Sequence, residues 1–306
     1  MKSIFLAAAL IVSAIVSCTR DSVICVHEKA EVKFSSNIIN TKPQARAVDD
    51  IWSPTDSIGV YMYSENATNI VEGKANIQYV TENGGNIGDF KAKGEVIYFP
   101  DNWDKVRFMA YYPYMPEVST DYVYKVDVSN QLNQPAIDLL YSFDTDAVYD
   151  KSAINKKVSL VFDHKLTKII VNVKAGTGVV NTDLDNLTIS ISELNTKANF
   201  NLENGTLSDY SNVAKITPLA TIPQNDYAKG FEAIILPETS IPNAEIVFNL
   251  NNGDPENSSL YTWKFDNVLN AATKYTYNVT INRSGIVVEA TINDWINGGE
   301  NDINAE

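Results

Sequence analysis

The stretch Lys274-Tyr275-Thr276-Tyr277-Asn278-Val279-Thr280-Ile281 decides the fold class. In an extended chain successive side chains point to opposite faces, so Tyr275, Tyr277, Val279 and Ile281 share one side and Lys274, Thr276, Asn278 and Thr280 the other. An apolar face backed by a polar one is the pattern of an antiparallel strand that covers a core. The same alternation returns at Leu187, Ile189 and Ile191 against Thr188, Ser190 and Ser192, and at Tyr122, Tyr124, Val126 and Val128. Asn- and Gly-rich clusters separate such runs, at Glu82-Asn83-Gly84-Gly85-Asn86, Glu203-Asn204-Gly205 and Asn251-Asn252-Gly253-Asp254-Pro255. These residues tolerate left-handed backbone and close hairpins at little cost. No sustained helical period occurs beyond the first residues, so the sequence predicts an all-β protein.

Length sets the domain count. The chain has 306 residues, and a β-sandwich holds about 100, so two sandwiches in tandem are expected. The polar link around Tyr149-Asp150-Lys151-Ser152-Ala153-Ile154-Asn155-Lys156 is the best seam, placing an N-terminal sandwich at 47–155 and a C-terminal one at 156–306. Beyond the seam, Val158 to Lys174 reads as a long strand, straight or bent, with Ile169, Val171 and Val173 inward.

The first residues read as a targeting segment. Met1-Lys2-Ser3 precedes an apolar run from Ile4 to Val16 broken only by Ser13. At about 13 residues that run suits a signal peptide and falls short of the roughly 20 that cross a bilayer. It stops at Ser17-Cys18, where a small residue before Cys resembles a bacterial lipobox: residues 1–17 are the expected signal peptide, cut between Ser17 and Cys18, with Cys18 lipidated. Two or three acyl chains would hold the chain at a membrane, as one alone would not. The alternative is plain secretion with Cys18 and Cys25 paired or free. With Cys18 acylated, Cys25 is an incidental thiol in a tether. After the tether, Glu31-Val32-Lys33-Phe34-Ser35 reads as a strand with Val32 and Phe34 on one face, within a leader at 31–38. Pro43 disfavours a regular ladder in the loop that follows, where Lys42 and Arg46 are accessible to a trypsin-like protease.

Composition narrows the chemistry. Acidic residues exceed basic ones, 38 − 24, giving a formal net charge of −14. A nucleic-acid partner needs a basic footprint and is not expected. With two His in 306 residues, zinc clusters are excluded, and no Gly-x-Ser-x-Gly, Walker or His-Glu-x-x-His motif occurs. His164 lies beside Asp163, but adjacent strand residues face opposite ways, so that pair is no catalytic dyad. Asp144-Thr145-Asp146 and Asp183-Leu184-Asp185-Asn186 lack the ligand spacing of an EF-hand. Trp52, Trp103, Trp263 and Trp295 fit core packing better than sugar stacking. In Tyr111-Tyr112-Pro113-Tyr114, alternation turns one or two rings outward. No metal, cofactor or enzymatic activity is expected.

One ordered set of motifs remains. Trp52-Ser53-Pro54-Thr55-Asp56-Ser57-Ile58-Gly59-Val60 is followed by Tyr98-Phe99-Pro100, by Val106-Arg107-Phe108-Met109-Ala110-Tyr111-Tyr112-Pro113-Tyr114, and by Asp138-Leu139-Leu140-Tyr141-Ser142. Then come Phe162-Asp163-His164-Lys165-Leu166-Thr167-Lys168, Tyr275-Thr276-Tyr277 and Ile292-Asn293-Asp294-Trp295. In this order, behind a lipobox, the chain resembles the fimbrillin (Mfa-like) family of Bacteroidales surface lipoproteins. It departs from the family pattern at Thr55, where Gly is usual, and at Thr273.

The resemblance implies two tandem transthyretin-like sandwiches, outer-membrane and fimbrial localisation, and assembly with other fimbrial subunits by strand donation. It also implies an Arg-specific, trypsin-like protease that cuts between Arg46 and Ala47 and removes residues 18–46, tether and leader strand together. The vacated groove would take a C-terminal strand from a neighbour, with Ile286, Val288, Ile292 and Trp295 in the donor segment. The alternative is a monomeric surface lipoprotein that binds glycans or another surface ligand.

Overall fold

The computed structural model describes residues 29–38, 51–118, 121–144, 146–223, 225–250, 259–265 and 268–295. Its strands are β1 Lys33–Ile38, β2 Ser57–Ser64, β3 Ile77–Thr81, β4 Ile87–Ala92, β5 Val106–Tyr112, β6 Val123–Asp127, β7 Leu140–Phe143, β8 Lys157–His164 and β9 Thr167–Ala175. They continue with β10 Thr188–Asn201, β11 Thr206–Ile216, β12 Leu219–Thr221, β13 Lys229–Ile235, β14 Glu245–Leu250, β15 Ser259–Lys264, β16 Thr273–Asn282 and β17 Gly285–Asp294. Helix among the described residues is limited to single 3-10 turns such as Lys151–Ala153. The all-β expectation therefore holds. In β16 the alternation is followed residue by residue, with Tyr275, Tyr277, Val279 and Ile281 at most 1% exposed.

Seven strands close into a barrel in the order β1-β4-β3-β2-β5-β7-β8, with β8 returning in parallel to β1. The remaining strands form two five-stranded sheets, one with β11-β10-β14-β15 plus β6 on β10, the other β12-β13-β9-β16-β17. Ile189, Ile191, Ile246 and Phe248 of the first sheet share one core with Val171, Phe231, Tyr277 and Val279 of the second. The second half is thus two sheets over a common core, whereas the first half is a closed barrel rather than two separate sheets.

Three sequence expectations differ from the structure. Val158–Lys174 is not one strand: β8 ends at His164 in the barrel, and β9 starts at Thr167 in the other unit. Leu166, fully buried between them, joins the core where the two units meet. The change of unit thus falls at Lys165-Leu166, ten residues beyond the expected seam at 155–156. Tyr111 and Tyr112 are both buried. Tyr112 faces the barrel core, while Tyr111 faces a second core with Tyr124, Phe200, Leu202 and Ile234 that cements barrel to sandwich. An outward position in β5 is therefore not a wet one, and alternation alone does not reveal that. Of the four Trp, Trp52 and Trp295 are core, Trp263 is half-buried and Trp103 is 59% exposed.

The same two-sided burial explains Ile58-Gly59-Val60. Ile58 and Val60 point into the barrel, and the opposite side of Gly59 is covered by the Tyr111 ring, which leaves no room for a Cβ. The Tyr111 hydroxyl donates to Asn76 Oδ1 at 2.6 Å, fixing the ring over the glycine.

Candidate functional site

The N-terminal described segment enters the barrel as a full member. Ala30, Val32, Phe34 and Ser36 are at most 2% exposed, while Lys29, Glu31 and Lys33 face solvent. The Val32 amide donates to Ile97 O at 3.0 Å, and the Phe99 amide donates to Ala30 O at 2.8 Å. From Lys33 onward β1 is bonded on both sides: antiparallel to β4, with Phe34 opposite Phe90, and parallel to β8, with Phe34 opposite Val158. Phe34 meets Tyr79 and Phe108 edge-on, with ring centroids 4.9 and 5.0 Å away. Burial pushes the Tyr79 phenol up to about 12, and its oxygen accepts from the Ile97 amide at 3.0 Å. Val32 and Phe34, chosen from a short alternating pattern, are thus packed in the barrel core.

One position in this segment is poorly matched. Ser36 is 2% exposed, and its hydroxyl has no hydrogen-bond partner among the described residues. A buried polar group left unpaired costs about 1–3 kcal/mol. Its neighbour across β4 is Gly88, where the Trp52 indole lies against the backbone. No local pattern foretells this defect, because a Ser hydroxyl is ordinarily solvated or paired.

The C-terminal described segment is built differently. β17 pairs through ten residues with β16 and has no ladder partner on its other side among the described residues. Ile286 and Val288 are half-buried against the sandwich core. Val287 and Ile292 are 56% and 47% exposed, and Trp295, just past the strand, is 2% exposed. The expected donor residues therefore sit on and just after an edge strand. Ser17, Cys18, Cys25, Arg46 and Ala47 lie outside the described residues.

Elsewhere, a cavity of about 240 Å³ opens where barrel and sandwich meet, with Trp52, Asp56, Tyr112, Gln134, Leu140 and Ile234 among its lining residues. Asp56 accepts from the Ser53 amide at 2.7 Å and the Tyr112 hydroxyl at 3.2 Å, and burial raises its carboxyl above the ordinary value. His164 Nδ1 lies 2.9 Å from Asp138 Oδ1, so its carboxylate partner comes from a distant loop and not from Asp163. Asp144 Oδ1 accepts from the Asp146 and Ala147 amides, the work of a turn cap. No cluster of metal-ligating side chains occurs among the described residues, and no described helix is long and apolar enough to cross a membrane.

Comparison with known proteins places this architecture. The family model described as fimbrillin-like matches residues 45–295. The chain belongs to the fimbrillin-like family. A relative from Bacteroides uniformis that bears the name fimbrium subunit Fim1C is 33% identical over 270 residues, 85% of each chain. A crystal structure named as a cell adhesion protein, also from Bacteroides uniformis, matches with a TM-score of 0.71 at 30% identity, covering 87% of this chain and 98% of that one. A Bacteroides ovatus structure gives 0.68 at 24% identity, over 88% and 98%, and supports the fold. The family suggested by the ordered motifs is thus the one found.

Proposed function

We propose that this fimbrillin-like chain is a fimbrial subunit, structural or adhesive, that reaches the outer membrane as a lipoprotein anchored through Cys18 and assembles by strand exchange. The observation that carries the reading is the position of β1: it is a core strand of the barrel, yet it precedes the region matched by the family model. An Arg-specific protease cutting between Arg46 and Ala47 would detach residues 18–46 and with them the whole of β1. The remaining barrel would expose unpaired backbone groups on β4 and β8 beside an apolar slot floored by Tyr79, Phe90, Phe108 and Leu160, a state that favours capture of a replacement strand. A C-terminal segment of another copy or accessory subunit, drawn from Ile286 to Trp295 and the residues after it, supplies that strand. The contact joins unlike surfaces and does not close, so it repeats into a filament. In this reading the two halves are the tandem transthyretin-like domains that the family resemblance implies, the first closed into a barrel with β8 as a member and the leader as its seal.

Exposure of the precursor to an Arg-specific protease tests the proposal. A cut after Arg46 followed by an SDS-resistant ladder is expected, and Arg46→Ala is expected to stay folded and monomeric. Normal polymerisation by that variant would refute the cleavage site.

A second reading, a monomeric ligand-binding lipoprotein, is favoured by the cavity at the junction of the two units. Saturable glycan binding by the uncut precursor, lost on Asp56→Asn, together with an Arg46 that resists cleavage, would establish it instead.

A further inference from the structure

We propose that His164 is a positioning residue for the C-terminal strand, holding β17 in place through Trp295 for as long as the leader strand occupies the barrel. The proposal rests on the strand-exchange reading above and adds a link between its two ends.

His164 is the last residue of β8, two positions beyond the final β1–β8 pair, Ile38 with Phe162. Its imidazole stacks on the Trp295 indole with ring centroids 4.0 Å apart and planes 9° from parallel. Asp138 holds the imidazole through Nδ1. From the sandwich side, Lys168 Nζ lies 6.0 Å from the Trp295 ring centre and 3.0 Å from Glu232 Oε2. The Trp295 amide donates to Ala272 O at 2.6 Å. Trp295 is therefore clamped between the end of a barrel strand and the surface of the sandwich, directly after a strand with a single ladder neighbour among the described residues. An edge strand depends on such end contacts more than an internal strand does, because fraying from a free end meets few other restraints.

The clamp has a physical connection to the leader. β8 is paired along six residues to β1 but to β7 only at His164 and Asp163. Departure of β1 removes the ladder along residues 157–162 of β8 and leaves the end that carries His164 held through β7, by its pairing with Leu140, by the Lys165 amide on Leu139 O and by Asp138. With only that short anchor left, the stacking on Trp295 weakens, and β17 is released in the same subunit whose groove has just opened. A single cut thereby prepares acceptor and donor together, and an uncut precursor keeps both closed. Two sites that bias one element in this way are coupled reciprocally.

Amide hydrogen exchange on the full precursor tests the proposal. An aromatic stacking pair corresponds to a factor of about two to ten in an equilibrium. His164→Ala is accordingly expected to speed exchange in β17 by about that factor while β9 and β13 keep wild-type protection. His164→Phe, which restores a ring for Trp295 to stack on, is expected to return β17 toward the wild-type rate. Cutting the wild-type protein at a site-specific protease sequence inserted at 43–46 is expected to raise β17 exchange to the level of uncut His164→Ala. Unchanged β17 exchange in His164→Ala overturns the clamp. Loss of the leader with polymer formation but unchanged β17 exchange overturns the coupling and leaves strand exchange standing. A leader that stays bound after the cut, with no polymer, overturns both.

Discussion

The first and last described strands are made of similar residues and held in opposite ways. β1 lies between two neighbours, with Phe34 and, just before the strand, Val32 at most 1% exposed, whereas β17 has one neighbour among the described residues and carries Val287 and Ile292 about half in solvent. The strand that precedes the body of the family match is core, and the strand that closes it is edge. Under the strand-exchange proposal, the core strand marks the end that would accept and the edge strand the end that would give. Removing a core strand leaves a slot whose refilling is strongly favoured, while lifting an edge strand breaks one ladder and uncovers little.

Truncating one side chain in each strand separates the two most strongly. Phe34→Ala is expected to destabilise the precursor by about 3–5 kcal/mol, the range for a buried aromatic. Val287→Ala, on a 56% exposed residue, should stay within about 0.5 kcal/mol of wild type. Urea denaturation of both variants reads the contrast, and equal effects would mean that β1 is no more a core strand than β17.

The next effect is smaller and of opposite sign. Ser36→Ala removes the unpartnered buried hydroxyl and is expected to stabilise the leader in its slot by about 1–3 kcal/mol. After proteolysis the variant leader should dissociate more slowly, measured by its retention on a gel-filtration column. Faster dissociation would show that the hydroxyl is satisfied and useful.

The smallest effect lies outside both strands and serves as a control. Burial raises the Asp56 carboxyl above its ordinary value of 3.8. The folded state then binds this proton more tightly than the unfolded state, so the stability contributed here is lost as pH rises from the ordinary carboxylate value through the raised one. Asp56→Asn is expected to flatten that part of the stability–pH curve, followed by urea unfolding, without altering leader retention.

Much of this was legible in the sequence, for reasons that differ by region. The faces of β16 and the leader pair Val32 and Phe34 were readable because one side of each strand meets water or the other meets a single core. β5 was not, since its outer face is covered by the second unit, and a period-two pattern carries no information when both faces are apolar. β8 and β9 ran together because Lys165-Leu166 offers no Gly, Pro or Asn to mark the change of unit. Thr55 shows the opposite case. Its backbone has φ of 76°, a left-handed conformation unfavourable for a β-branched residue, which explains why Gly is usual at that position of the motif. The clamp on Trp295 joins residues far apart in the chain, and no local pattern foretells such a meeting.

The most direct test of the central claim is competition for the emptied groove. Precursor is cut after Arg46, the leader is removed, and a labelled peptide of residues 285–306 is added with or without an unlabelled peptide of residues 29–46. Saturable binding of the C-terminal peptide is expected, displaced by the leader peptide and at least about 100-fold less well by its Phe34→Ala form, the factor that 3 kcal/mol represents. Binding that the leader peptide does not displace, or no binding at all, would contradict it.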